Sequence, residues 1–104
     1  MTGDVDLEVV SLTDGDGTVR PFDADAEPEG VRLSLEAGES VPPHTHPGRG
    51  VVFCVLEGVC EVTVDGDTRR LAAGECLQFD GEREVSPAAT DDESATALVV
   101  LGRS

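Results

Sequence analysis

Residues 38–58 read GESVPPHTHPGRGVVFCVLEG, with His44 and His46 one residue apart. On an extended backbone the side chains of residues i and i+2 leave the same face about 7 Å apart. The two imidazoles can therefore converge on one ion or one small molecule. Imidazole is the commonest metal ligand among side chains, but a firm protein site offers three or four donors. The pair is thus half of a site, and three readings stand: a weak or water-completed metal site, a metal-free polar lining of a ligand pocket, or two exposed loop histidines. Pro42 and Pro43 stiffen the approach to the pair.

The elements that must carry these residues are strands. In VRLSLEAG, Val31, Leu33 and Leu35 alternate with Arg32, Ser34 and Glu36, which predicts a half-buried strand with the arginine outward. VVFCVL and VCEVTV follow, with Glu57-Gly58 between them read as a two-residue turn. Asp65-Gly66 is a second and stronger hairpin signal, because both residue types tolerate positive φ. The first turn would pair Leu56 with Val59, Val55 with Cys60, Phe53 with Val62 and Val51 with Val64. Val51, Phe53, Val55, Cys60, Val62 and Val64 then form an apolar interior face. Val52, Cys54 and Leu56 lie outward with Val59, Glu61 and Thr63.

Shorter strands are predicted at LEVVSL, RRLA, ECLQF and TALVVL, a surface arm or long loop at residues 13–30, and a loop at SPAATDDESATA. Many short strands with frequent turns predict one all-β domain, a sandwich or barrel.

Gly38, His44, His46 and Gly58, together with VLEGVCEVTVDG followed by LAAGE, resemble the first motif and central strands of the cupin family over residues 31–101. The resemblance implies an antiparallel jelly-roll β-barrel, often dimeric. It also implies a divalent iron, zinc, manganese or nickel ion held by three histidines and a glutamate. Val51 stands in the place of that glutamate and Val85 in the place of the third histidine. The metal is accordingly expected to be held weakly by His44 and His46, or not at all. Cys60 faces inward but lies about 13 Å along the strand from Val51. Glu61 and Gln78 point to the wrong face, and Glu82 and Glu84 lie in the loop before Val85.

The expected function is a small barrel that binds a small molecule, a weakly held divalent metal, or both through His44 and His46. Its pocket is expected to be lined by Val51, Phe53, Val55, Cys60, Val62, Val64 and Val85. The alternative is a metal-dependent enzyme of the dioxygenase, isomerase or lyase kind, with water or an unrecognised side chain completing the ligands. Acid/base catalysis without metal lacks an inward carboxylate to orient a histidine, and a thiol buried like Cys60 is unreactive.

Composition narrows the partners. Asp and Glu number 22 against seven basic residues, for a formal charge of -15, which excludes the cationic surface that nucleic acid requires. All the basic residues are arginine, and the acids are scattered through the chain, as on the solvated surface of a halophilic protein. No apolar run approaches the roughly 20 residues of a membrane span, and MTGDVDLEVV lacks a targeting pattern, so a cytoplasmic location is expected. Cys54, Cys60 and Cys76 show no close pairing in sequence and are read as reduced thiols. The apolar outward residues Val52, Cys54 and Leu56 suggest a homodimer contact.

A chain this acidic repels itself at low ionic strength. Its melting temperature is expected to rise from dilute buffer to molar KCl; a flat profile would refute electrostatic self-repulsion as the limit on its stability.

Overall fold

Apolar residues at every second position give most runs of this chain one dry and one wet face, and those runs are strands. The computed structural model describes residues 9–12, 18–22 and 27–103. Among these residues are β1 (Glu29–Leu35), β2 (Arg49–Glu57), β3 (Val59–Val64), β4 (Asp67–Ala72), β5 (Cys76–Asp80), β6 (Val85–Ala89) and β7 (Ala95–Arg103). They form two antiparallel sheets, ordered β1-β7-β2-β5 and β4-β3-β6. Among the described residues no helix is long and apolar enough to cross a membrane. The inward residues of both sheets share one core: Val51, Phe53 and Val55 of β2, Cys60, Val62 and Val64 of β3, and Ala95, Ala97 and Leu101 of β7. Val52, Cys54 and Leu56 are half-buried on the other face of β2.

The expected β2–β3 hairpin is not formed. β2 is flanked by β5 and β7, and β3 lies between β4 and β6 in the opposite sheet, so none of the four expected residue pairs exists. Glu57 and Gly58 instead make a corner where the chain leaves one sheet for the other. The register of β2 against β7 shifts between Val55 and Glu57, a bulge that bends β2 into the corner. Gly58 has φ +76°, and a Cβ there would lie 2.3 Å from the carbonyl oxygen of Ser94, so the start of β7 leaves no space for a side chain. The interior faces are still the expected ones, because alternation along a strand holds whichever sheet it joins. At Asp65-Gly66 the hairpin is as expected: both residues have positive φ and Val64 pairs with Asp67.

Three further expectations are corrected. Residues 86–89, read as loop, belong to β6, where Pro87 is tolerated for a specific reason. Val85 directs its backbone N–H and C=O to His44, and Pro87 accepts from Val41 N on that same side. The missing N–H of Pro87 therefore costs the β3–β6 ladder nothing. In LEVVSL, residues 7 and 8 lie outside the described residues, and residues 9–12 are not strand. Arg32, read as outward on a half-buried strand, is only 4% exposed. Val19 bridges to it through both backbone groups, and its Nη1 donates to the Leu12 carbonyl at 3.3 Å, so the N-terminal arm covers it.

Gly58 and Gly66 separate two costs. Gly66 has φ +84° with open space around its Cβ position, so Gly66→Ala is expected to cost roughly 1 kcal/mol from backbone strain alone. Gly58→Ala adds a clash with backbone and is expected to cost more than about 3 kcal/mol. Urea unfolding of both variants in molar KCl checks the order, and equal costs would refute the corner's steric role.

Candidate functional site

The histidine segment is held at both ends by backbone bonds. Residues 39–44 run along the free edge of β6: His44 N donates to the Val85 carbonyl at 3.0 Å and Val85 N returns to the His44 carbonyl at 2.8 Å. Beyond His46 the chain reverses through Pro47-Gly48, with Arg49 N donating to the His46 carbonyl and Gly48 at φ +78°, as suits a type II turn. Glu82 Oε2 accepts from Gly48 N at 2.9 Å and steadies the turn. Gly81 packs beneath it. His46 N donates to the Gly81 carbonyl at 2.7 Å, and a Cβ on Gly81 would lie 2.2 Å from the His46 carbonyl oxygen. The ring positions thus depend on the β5–β6 loop as well as on their own segment.

The two rings stand edge to face, with centroids 4.8 Å apart and an interplanar angle of 87°. Both are half-buried and border a cavity of about 110 Å³. Val51, Phe53, Phe79 and Val85 contribute to its wall, with Val31, Leu33, Val41, Pro87, Val99 and Leu101. His44 Nδ1 is 2.8 Å from the Pro42 carbonyl. A carbonyl only accepts, so Nδ1 carries the hydrogen and neutral His44 keeps its lone pair on Nε2. His46 is held below the ordinary histidine pKa, chiefly by burial, then by the proximity of His44 and of Arg49. His46 therefore favours the neutral ring, the form that can accept a hydrogen bond or ligate a metal.

Val51 and Val85, which the resemblance leads us to expect at the family's glutamate and third-histidine positions, lie in the same cavity wall as the two histidines, and Val85 is the direct cross-strand partner of His44. Val55, Cys60 and Val62 are buried in the core but do not border this cavity, and Val64 borders a separate surface depression. Burial pushes the Cys60 thiol up to about 11. Among the described residues no third His, Cys, Asp or Glu joins the histidines in a metal-binding group. Glu61 faces Arg70 at 3.4 Å on the outer surface, Glu82 serves the Gly48 turn, and Gln78 and Glu84 are exposed. The wall residues Val31 and Leu33 were legible as an inward alternation. Val41, Phe79, Pro87, Val99 and Leu101 join the wall only through the way the sheets and the histidine segment close over it.

An ionic cluster lies just beyond the turn. Arg49 Nη1 donates to Glu27 Oε1 and to the Leu101 carbonyl, both at 3.1 Å, and Nη2 reaches Glu29 Oε1 at 3.3 Å. Arg20 pairs with the same Glu29, which is only 7% exposed, and Glu27 Oε2 accepts from Arg103 N at 2.6 Å. A carboxylate this buried is stable only with such partners. The cluster ties the ends of β1, β2 and β7 beside the histidine turn and places its one free-standing effect on the site, a positive charge near His46.

Comparison with known proteins agrees with this architecture. Residues 31–101 match the family described as Cupin domain. A cupin protein from Bacteroides fragilis superposes with TM-score 0.80 at 22% identity, covering 94% of this chain and 84% of that one. A Cupin 2 conserved barrel domain protein from Salinispora arenicola gives TM-score 0.75 at 17% identity, covering 94% and 90%. A predicted oxalate decarboxylase from Thermotoga maritima gives 0.76 at 21%, covering 84% and 79%. No curated protein matches the sequence. At these identities the solved structures speak for the fold alone, and the match over residues 31–101 speaks for descent: the chain belongs to the cupin family.

Proposed function

We propose that this cupin binds a compact, weakly polar small molecule in the cavity beside His44 and His46, with no tightly held metal and no assigned reaction. The observation that carries the reading is that two half-buried imidazoles are the polar groups of an otherwise hydrocarbon wall. A cavity of about 110 Å³ is well below the roughly 300 Å³ or more of drug-sized sites, which restricts the ligand to a compact one. His44 Nε2 offers an acceptor, and among the described residues no Asp or Glu lines the cavity beside either ring. Among the described residues no arginine lines the wall to clamp a phosphate or carboxylate group.

The donor set does not fit a firmly held family-type ion. Two imidazoles supply two donors, and the two valines remove two more along with the negative charge that favours a dication. A divalent metal would be held weakly, with water or ligand in its other positions. The second reading, a metal-dependent enzyme, draws on the Pro42 carbonyl bond to His44, the kind of contact that orients metal-ligating histidines.

Tag-free protein purified in molar KCl is expected to carry far less than one iron, zinc, manganese or nickel per chain by elemental analysis. Small aliphatic ketones and amides are expected to shift the histidine ring signals in NMR spectra, and His44→Ala/His46→Ala to abolish the ketone- and amide-induced stabilisation of the fold. One metal per chain, lost in that double variant, would overturn the reading in favour of the enzyme. The valines can be tested by reversal: Val51→Glu/Val85→His is expected to retain about one metal after dialysis and to lose stability without it, since a buried unpaired carboxylate is costly. Failure of that variant to gain metal would refute the assignment of the two positions.

The depressed pKa of His46 fixes a sign for pH. As pH falls below the ordinary value of 6.5, the unfolded chain takes up the proton before the folded one does. His46 thus contributes stability near neutral pH that is lost as pH falls from 6.5 toward its lower folded value. Native protein compared with His46→Gln by urea unfolding across that window is expected to weaken relative to the variant; the opposite slope would mean that the folded site favours the imidazolium.

A further inference from the structure

Cys54 on β2 and Cys76 on β5 are direct cross-strand partners, on the face opposite the cavity. Val55 directs both backbone groups toward the β5 side: its N donates to the Glu75 carbonyl and its carbonyl accepts from Gly74 N. By alternation the backbone groups of Cys54 point the other way, toward β7, so Cys54 and Cys76 form a non-hydrogen-bonded pair. Such pairs bring the Cα atoms to about 4.5 Å and the side chains into their closest approach. That separation falls within the range a disulfide spans, about 4.4–6.8 Å. The two sulfurs are in contact at 2.6 Å as thiols. β5 is the edge strand of its sheet, and Cys76 is exposed to attack from solvent while Cys54 is half-buried. Cys60 is buried in the core, on the other side of the sheet face, and cannot join them.

We propose that Cys54 and Cys76 are a reversible oxidation site that closes an intramolecular disulfide, stapling edge strand β5 to β2 on reaction with a low-molecular-weight disulfide. The Cys76 thiolate attacks one sulfur of the small disulfide and releases the first small thiol, giving a mixed disulfide on Cys76. The Cys54 thiolate then attacks the Cys76 sulfur, forms the cross-strand bond and releases the second small thiol. The protein is oxidised by two electrons, the small disulfide is reduced by two, and the two thiol protons leave on the two small thiols. The staple joins the strands that carry Val51, Phe53 and Phe79, so oxidation stiffens one wall of the cavity from its outer side. This proposal is independent of what the cavity binds.

The experiment uses the full chain in molar KCl with oxidised glutathione, followed by unfolding and maleimide labelling of free thiols. The expected product is a monomer lighter by two hydrogens, labelled only on Cys60, with Cys54 and Cys76 in one linked peptide after digestion. Dithiothreitol is expected to restore all three labels. Oxidation is expected to raise the melting temperature by about 10 °C, and Cys76→Ser, a change at an exposed position, to abolish that rise. Three free thiols after oxidant, a lasting glutathione adduct on Cys76, or a bond between two chains would each overturn the proposal.

Discussion

At Gly58 the carbonyl of Ser94 occupies the space that any side chain would need, and the chain turns from one sheet to the other above it. The arrangement of the remaining strands depends on this corner. Because β3 departs to the opposite sheet, β2 is free to take β5 and β7 as its two neighbours. The inward side chains of β2 and β3 then face each other across a core instead of lying side by side. A flat hairpin with the same alternation would bury one face and enclose nothing. The crossed arrangement makes a barrel, and a barrel has an inside in which a site can be built.

That inside is finished by segments that are not regular strands. Residues 39–44 lie along β6 through backbone bonds, and Gly81 accepts the His46 turn against its bare backbone. The histidines are thus held on a scaffold of main-chain contacts, which leaves their rings available to the cavity. Their electrical setting is the reverse of the protein's exterior. In a chain of formal charge -15, the carboxylates among the described residues lie on the surface or in ion pairs such as those of Glu27 and Glu29 with Arg49, and none of them lines the cavity wall. Burial and the nearby Arg49 both disfavour a charged His46. The outcome is a small, mostly hydrocarbon cavity in a strongly anionic protein.

The reach of sequence reasoning differs between strands and partners. Strands β2, β3, β5 and β7 were legible because a two-residue period reports which side chains are buried. β6 was missed because VSPAA has small residues and a proline, whose suitability for a strand depends on its missing donor pointing toward the 38–46 segment. Arg32 was read outward from the same alternation, and outward it is; the N-terminal arm then covers it, which no local pattern in VRLSL encodes. The adjacency of Cys54 and Cys76 was likewise invisible, since it depends on the register of β5 against β2.

By itself the sequence determined the all-β class, the inward faces of the central strands and the paired histidines. These are properties of single strands and short motifs, carried by residue type and spacing along the chain. The tertiary structure decided which strands are neighbours, that the Glu57-Gly58 step is a corner and not a hairpin, and which of the inward residues border the cavity. The physical reason is that alternation specifies a face but not a partner. Partners are selected by steric room at a few positions, Gly58 and Gly81 above all, and by hydrogen bonds between residues far apart in the chain.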